Sequence, residues 1–159
     1  MKRLRKNLQN PNVFGFETDT VWGIGCCVTD EIGADEIYEI KGRDRSKPLI
    51  LMSYDKEIIL KYVVDVSDFA KGLMDKFWPG GLTLIFKKSD LCPKHIKGET
   101  LAVRVPNHPL FKDVCKSTKT GALLTTSLNY SGEAPCESYE EAVEKFGDRI
   151  KIFPPKEGF

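Results

Sequence analysis

Histidine is scarce in this chain, which holds only His95 and His108. Its five cysteines (Cys26, Cys27, Cys92, Cys115, Cys136) form an odd set with no Cys-x-x-Cys spacing. Together these shortages argue against a zinc site and against a disulfide framework. Net charge is also in short supply: 24 basic and 23 acidic residues leave +1. That balance excludes a surface that coats nucleic acid by overall charge, so any anion site must come from local arrangement. No run approaches the roughly 20 apolar residues of a membrane span. Met1-Lys2-Arg3-Leu4-Arg5-Lys6 has the charge of a signal-peptide start, but Asn7, Gln9, Asn10 and Pro11 leave no apolar core behind it. The expectation is a cytoplasmic protein with reduced thiols. Internal repeats, linkers and low-complexity tracts are absent too. With 41% apolar and 30% charged residues, the 159-residue chain reads as a single domain over residues 1–159.

What the chain does have is a concentration of charge. Lys41-Gly42-Arg43-Asp44-Arg45-Ser46-Lys47-Pro48 places four cations in seven residues. Asp30 is a plausible N-cap for a helix reaching about Ile40, with Ile32, Ile37 and Ile40 as its apolar stripe and Glu31 and Asp35 facing water. The cluster then falls at the helix C-terminus, where the dipole favours cations. Crowded like charges repel and are costly to desolvate, so an anion such as phosphate is the fitting guest.

Strand-like runs at residues 13–16, 49–52, 82–86, 101–105, 122–126 and 149–153 alternate with helical segments. Ser53 or Asp55 can cap a short helix through Leu60, Ser67 a helix over 68–77 stopped by Trp78-Pro79-Gly80-Gly81, and Ser138 opens a capping box with Glu141 and a stop at Gly147. Residues 109–116 suit another helix. Glu17-Thr18-Asp19-Thr20 reads as a strand-to-helix turn with hydroxyls at its lip. The fold class is α/β, built on a twisted sheet. Polar groups stand at strand ends in three places: Thr18-Asp19-Thr20, Thr100 with Arg104, and Thr125-Thr126-Ser127-Leu128-Asn129. In α/β sheets such ends converge on a ligand crevice, where hydroxyls and amides bond the ligand and an arginine forks onto a carboxylate or phosphate.

Five ordered blocks resemble the YrdC family, the threonylcarbamoyl-AMP synthases. They are Thr18-Asp19-Thr20-Val21-Trp22-Gly23-Ile24-Gly25, Lys41-x-Arg43 with Lys47-Pro48-Leu49, Trp78-Pro79-Gly80-Gly81-Leu82-Thr83, Arg104-Val105-Pro106-Asn107-His108-Pro109, and Ser127-x-Asn129-x-Ser131-Gly132. They cover about residues 13–147. The resemblance implies a single domain of the short bacterial type, a twisted mixed sheet flanked by helices with a concave basic cleft. It also implies a nucleotidyltransferase that makes threonylcarbamoyl-AMP and pyrophosphate from L-threonine, bicarbonate and ATP, for the modified adenosine beside tRNA anticodons. By carry-over, Lys41, Arg43, Lys47, Ser127 and Asn129 hold ATP phosphates, with Lys41, Arg43, Ser127 and Asn129 as the catalytic set. Thr100 adds a nucleotide contact, and Thr20, Arg104 and Thr125 orient threonine. Mg²⁺ arrives with ATP, with no metal held by protein. Downstream threonylcarbamoyl transferase proteins take the product, and tRNA or double-stranded RNA is a further partner.

Such chemistry needs little covalent help. Cations that neutralise phosphates and hold attacker and leaving group in line carry it. That suits a chain with no obvious nucleophile. Two other readings remain at this level: a noncatalytic module binding double-stranded or ribosomal RNA, and a related carbamoyl-adenylate chemistry as in hydrogenase maturation. Trp22 and Trp78 read as core or rim aromatics, the cysteines as small core residues, His108 as a loop-shaping residue, Asp19 as structural and Arg45 as solvent-facing. The chain departs from the family in four places. Glu17 replaces the proline often found before Thr-Asp-Thr, Leu128 replaces a small residue, and Met52 stands where some relatives place a histidine. After Phe153-Pro154-Pro155-Lys156-Glu157-Gly158-Phe159 the relatives continue with a segment that helps close the site, so weaker substrate binding is expected.

Overall fold

A computed structural model describes residues 10–155. The basic arm at residues 1–6 and the end at 156–159 lie outside the described residues. The backbone alternates β1 (Asn10–Phe16), β2 (Gly23–Cys27), α1 (Glu31–Lys41), β3 (Ile50–Ser53), α2 (Lys56–Ile59), β4 (Val63–Val64), α3 (Asp68–Phe77), β5 (Leu84–Lys88), β6 (Thr100–Arg104), α4 (Phe111–Lys116), β7 (Ala122–Ser127), α5 (Tyr139–Phe146) and β8 (Ile150–Ile152). Eight strands form one sheet in the order β4-β5-β6-β3-β7-β2-β1-β8. The sheet is mixed: β3 runs parallel to β6 and β1 to β8, while the other pairs are antiparallel.

Local chemistry sets the helices. Asp30 caps α1 by accepting from Gly33 N–H at 2.9 Å, Asp55 caps α2, and Ser67 caps α3. Ser138 accepts from Glu141 N–H at 3.0 Å, and the Glu141 carboxylate accepts from Glu137 N–H at 2.9 Å, so the capping box closes around α5 one residue earlier than in the usual pattern. Two expectations need correction. The segment after Thr18-Asp19-Thr20 is no helix: Gly23–Cys27 is β2, returning antiparallel on β1 with Phe16 opposite Gly23 and Phe14 opposite Gly25. Turn and cap share the same residue types, and cross-strand pairing decides between them. The buried stripe of α1 is Gly33, Ala34, Ile37, Ile40 and Lys41, whereas Ile32 is 75% exposed.

Register divides the sheet into two faces, because residues paired across strands share a face. On one, Ile24, Cys26, Leu51, Val103 and Leu124 pack with Ile37 and Ile40 of α1, Met74 of α3, and Ala142 and Phe146 of α5. On the other, Phe14, Phe16, Met52 and Leu123 meet Phe111, Val114 and Cys115 of α4. Helix α4 is short and covers only part of this second face. Arg104, Thr125 and Ser127 share that face, because Arg104 pairs with Met52, Thr125 with Ile50 and Gly25, and Ser127 with Gly23.

Candidate active site

Arg104 ends β6 and is buried, at 6% exposure. Its Nε donates to Gly80 O at 2.8 Å, its Nη1 to Thr20 Oγ1 at 3.0 Å, and its Nη2 pairs with the Asp19 carboxylate. Burial pulls the Arg104 pKa down and the Asp19 charge opposes that pull. The Asp19 pair keeps the guanidinium charged and fixes its plane. Three of five N–H groups are used, and one on each terminal nitrogen is left for a carboxylate fork.

The hydroxyls beside Arg104 have assigned directions. Thr18 Oγ1 donates to Val21 O at 2.6 Å and accepts from Thr20 N–H at 3.1 Å. Since that donation uses the only hydroxyl proton of Thr18, Thr20 is the donor in the 3.2 Å contact between the two hydroxyls, and it accepts from Arg104. A second bridge joins the same two loops, where Glu17 Oε1 lies 3.1 Å from His108 Nε2 and Leu110 N–H donates to His108 Nδ1. His108 shapes its loop, as expected. Glu17, at the position of the family's proline, holds the Thr-Asp-Thr loop by a side chain instead of a ring.

Lys41 forms the other centre. It is 3% exposed, and its Nζ donates to Ser127 O at 2.6 Å, Asn129 O at 2.9 Å and Asn129 Oδ1 at 2.7 Å. Burial, helped by Arg43 and opposed by Cys136, lowers its pKa from 10.5 to about 8. Ser127 Oγ donates to Asn129 Oδ1 at 2.6 Å, and Asn129 Nδ2 donates to Tyr130 O and Glu133 O. Lys41 and Asn129 are thus saturated within the protein and lock the turn that follows β7. Arg43 stands on the exposed side of the Lys41 segment, its Nη2 donating to Pro48 O at 2.9 Å and its Nε to Lys47 O at 3.4 Å. Lys47 is exposed. Arg45 pairs with Asp35 at 2.6 Å and lies over the Tyr38 ring, so its charge is balanced at the surface. Thr125 is fully buried, and its hydroxyl donates to Ile50 O at 3.1 Å. Thr100 lies exposed at the start of β6.

Two cavities flank these groups. One of about 300 Å³ is lined by Glu17, Thr18, Thr20, Trp22 and residues 134–137; one of about 510 Å³ lies between α1, residues 95–98 and β6, and includes Ser46, Pro48 and Thr100. Neither contains Arg104, Thr125 or Ser127, which sit on the sheet face. The structure therefore joins Thr20 to Arg104, and Lys41 to Ser127 and Asn129, while Thr100 stands apart at the larger cavity. Sequence reasoning missed Gly80, whose carbonyl orients Arg104, and it left Asp19 without a partner. The Trp78-Pro79-Gly80-Gly81 block was the available signal, and only folding says what it touches. Among the described residues no group of three or more His, Cys, Asp or Glu could hold a metal ion, and no helix is long and apolar enough to cross a membrane.

The family model Sua5/YciO/YrdC, described as telomere recombination, matches residues 6–156. A threonylcarbamoyl-AMP synthase of Klebsiella pneumoniae subsp. pneumoniae is 34% identical over 149 residues, covering 91% of this chain and 78% of that protein. One from Methylobacillus flagellatus is 31% identical over 159 residues, covering 99% and 88%. The crystal structure of P. abyssi Sua5 complexed with L-threonine superposes with a TM-score of 0.83 at 28% identity. That match covers 96% of this chain, which spans 46% of the Sua5 chain. E. coli YciO shares the fold, with a TM-score of 0.78 at 24% identity over 96% of this chain and 77% of that one.

Proposed function

The chain belongs to the Sua5/YciO/YrdC family, and we propose from its site that it is a threonylcarbamoyl-AMP synthase. The observation that carries the reading is Arg104, held in plane by Asp19, Thr20 and Gly80 with two N–H groups left over, on the sheet face that also bears Thr125 and Ser127. That is a receptor for an amino-acid carboxylate. A relative solved with L-threonine bound supports threonine as the amino acid, with Thr20 and Thr125 beside it.

In the reaction the threonine amine forms a bond to the carbon of bicarbonate and water leaves. A carbamate oxygen then attacks the α-phosphorus of ATP while the bond from that phosphorus to the bridging oxygen breaks and pyrophosphate departs. Arg43 and Lys47 take the phosphates. Lys41 lends its charge from beneath, its three donors keeping Ser127 and Asn129 in place so that Ser127 faces the nucleotide. Thr100 meets the nucleoside. The protein's share is positioning and charge neutralisation, of which alignment alone can supply roughly 7–11 kcal/mol. Mg²⁺ enters on the ATP phosphates, held by phosphate and water. The product, a mixed anhydride, is consumed by a transferase that places the threonylcarbamoyl group on a tRNA adenosine. Incubation with ATP, Mg²⁺, bicarbonate and L-threonine is expected to release pyrophosphate in a threonine-dependent way. Release that ignores threonine, or none from folded protein, ends the reading.

A further inference from the structure

Building on the synthase reading above, we propose that Glu17 and His108 are positioning residues for the threonine carboxylate. Their hydrogen bond holds the Thr18-Asp19-Thr20 loop against the end of β6, and through that loop sets the plane of the Arg104 guanidinium. Glu17 Oε1 lies 3.1 Å from His108 Nε2. The direction of that bond follows from the other ring nitrogen. Leu110 N–H donates to His108 Nδ1 at 3.1 Å, so Nδ1 is bare, the ring proton sits on Nε2, and His108 donates to the Glu17 carboxylate. Both ends are anchored. Glu17 follows Phe16, whose buried ring lies 5.6 Å from that of Phe111 at the start of α4, and His108 O accepts from Phe111 N–H at 3.1 Å.

The pair closes a ring through the site. Arg104 is followed by Val105, Pro106 and Asn107 before His108, Glu17 is followed by Thr18 before Asp19 and Thr20, and Asp19 and Thr20 bond Arg104. Pro106 narrows the first arm by fixing its own φ. Thr18 Oγ1 stiffens the second by bonding Val21 O and Thr20 N–H. Packing does little for this loop: Asp19, Thr20 and Val21 are all exposed, so its place depends on the bonds that cross to β6 and to the segment after it. Two of those end on Arg104 itself, whereas the Glu17–His108 bond crosses the same gap without using the guanidinium. Without that bond the loop, and the guanidinium plane with it, can tilt on the remaining anchor at Gly80 O. A carboxylate fork needs two N–H groups aligned at once. Tilt therefore costs threonine binding while leaving Arg43 and Lys47 where they are.

Amide substitutions separate the two bonds of the ring. His108→Asn keeps an acceptor for Leu110 N–H where Nδ1 stood but is too short to reach Glu17, and His108→Gln puts an amide nitrogen where Nε2 stood and keeps the bond to Glu17. Glu17→Gln keeps the acceptor, and Glu17→Ala removes it. In the pyrophosphate assay Glu17→Ala and His108→Asn should each raise the KM for threonine roughly 3–10-fold, as loss of one hydrogen bond does. The KM for ATP and the kcat at saturating substrates should stay unchanged. Glu17→Gln and His108→Gln should recover most of the loss, and Glu17→Ala combined with His108→Asn should do no more harm than either alone, because the two residues act as one pair. Additive losses in the double variant overturn the proposal, as does a KM rise shared by ATP or a Glu17→Gln variant as impaired as Glu17→Ala. Melting curves without ligand check that each variant folds, and the extra rise in Tm that threonine gives over a non-cleavable ATP analogue reads binding without turnover. A threonine shift that Glu17→Ala weakens, in a protein releasing no pyrophosphate, would remove the synthase reading and leave the pair's role standing. Threonine-dependent release with an unmoved KM for threonine in Glu17→Ala would do the reverse. Neither shift nor release in the unaltered chain ends both.

Discussion

Lys41 carries its charge where the surroundings tolerate it poorly, and its three acceptors, Ser127 O, Asn129 O and Asn129 Oδ1, can all be served only by an ammonium. With the folded pKa near 8 against an ordinary 10.5, the unfolded chain binds more protons between those values. Stability contributed by this group therefore rises with pH across that window. Activity should move the other way. A neutral amine has two N–H groups for three acceptors, so the Ser127–Asn129 turn loosens. The expected profile is a fall in kcat/KM for ATP above pH about 8 at saturating threonine, and Lys41→Arg, which stays charged, should push that limb upward. A limb that remains near 8 in the arginine variant would mean that another group sets it. At Arg104 the expected losses separate. Arg104→Ala leaves the Asp19 carboxylate, which solvent reaches, without its cation and should lower the Tm by less than the break of a fully buried pair would. Arg104→Lys keeps the charge without the fork and should keep the fold while raising the KM for threonine by about tenfold or more. Arg104 was legible from its place at a strand end. Its partner Asp19 was not, because a carboxylate in a cap-like triplet gives no sign of which cation it will meet.

At the scale of the element, the presentation of Arg43 depends on how α1 stops. Gly42 has φ 69°, its N–H reaches Glu39 O, and Arg43 N–H reaches Tyr38 O at 3.0 Å, a left-handed C-terminal turn that suits glycine. Nothing lies within 4 Å of where a Cβ would stand, so Gly42→Ala pays for backbone conformation alone, about 1–2 kcal/mol. It should also raise the KM for ATP as Arg43 is displaced. Gly72 provides the contrast: it lies inside α3, also with open space around a Cβ, and Gly72→Ala should stabilise by about 0.5–1 kcal/mol with activity unchanged. Paired melting curves and KM values check both. Helix ends of this kind were readable, as Asp30, Ser67 and Ser138 all cap where their residue types suggest. The stripe of α1 was misread because Ile32 to Ile37 is a five-residue step, off the helical period, and the small residues Gly33 and Ala34 occupy the buried position in its place. Strand β2 was missed because its glycines look like turn, yet a Cβ on Gly25 would stand 3.0 Å from Leu124 O and 3.1 Å from the Thr125 methyl, so the close strand packing calls for glycine.

Across the whole molecule, the site is made by contacts between distant parts of the chain. Arg104 and Thr20 are 84 residues apart, and Lys41 and Asn129 are 88 apart. Composition and periodicity can name such residues without placing them together, since the order β6-β3-β7-β2 that juxtaposes them is a property of the folded sheet. The same geometry predicts how ligands and stability are coupled. ATP would bridge the Lys41 segment and the end of β7, while threonine would tie β6 to the β1–β2 loop. Ligands that bind only the folded state stabilise it by mass action, about 2.7 kcal/mol at a hundredfold excess over Kd. For a domain of this size that is a rise in Tm of roughly 5–11 °C. An ATP analogue with a methylene between the α and β phosphorus cannot lose pyrophosphate, so it isolates binding from turnover. With it in saturating amount, threonine should add a further increment, larger than threonine produces alone, because the nucleotide has already ordered the neighbouring strand ends. Arg104→Lys should abolish that increment and leave the analogue's own shift intact. If threonine adds nothing in the presence of the analogue, or adds as much to Arg104→Lys as to the unaltered chain, then Arg104 does not hold the amino acid.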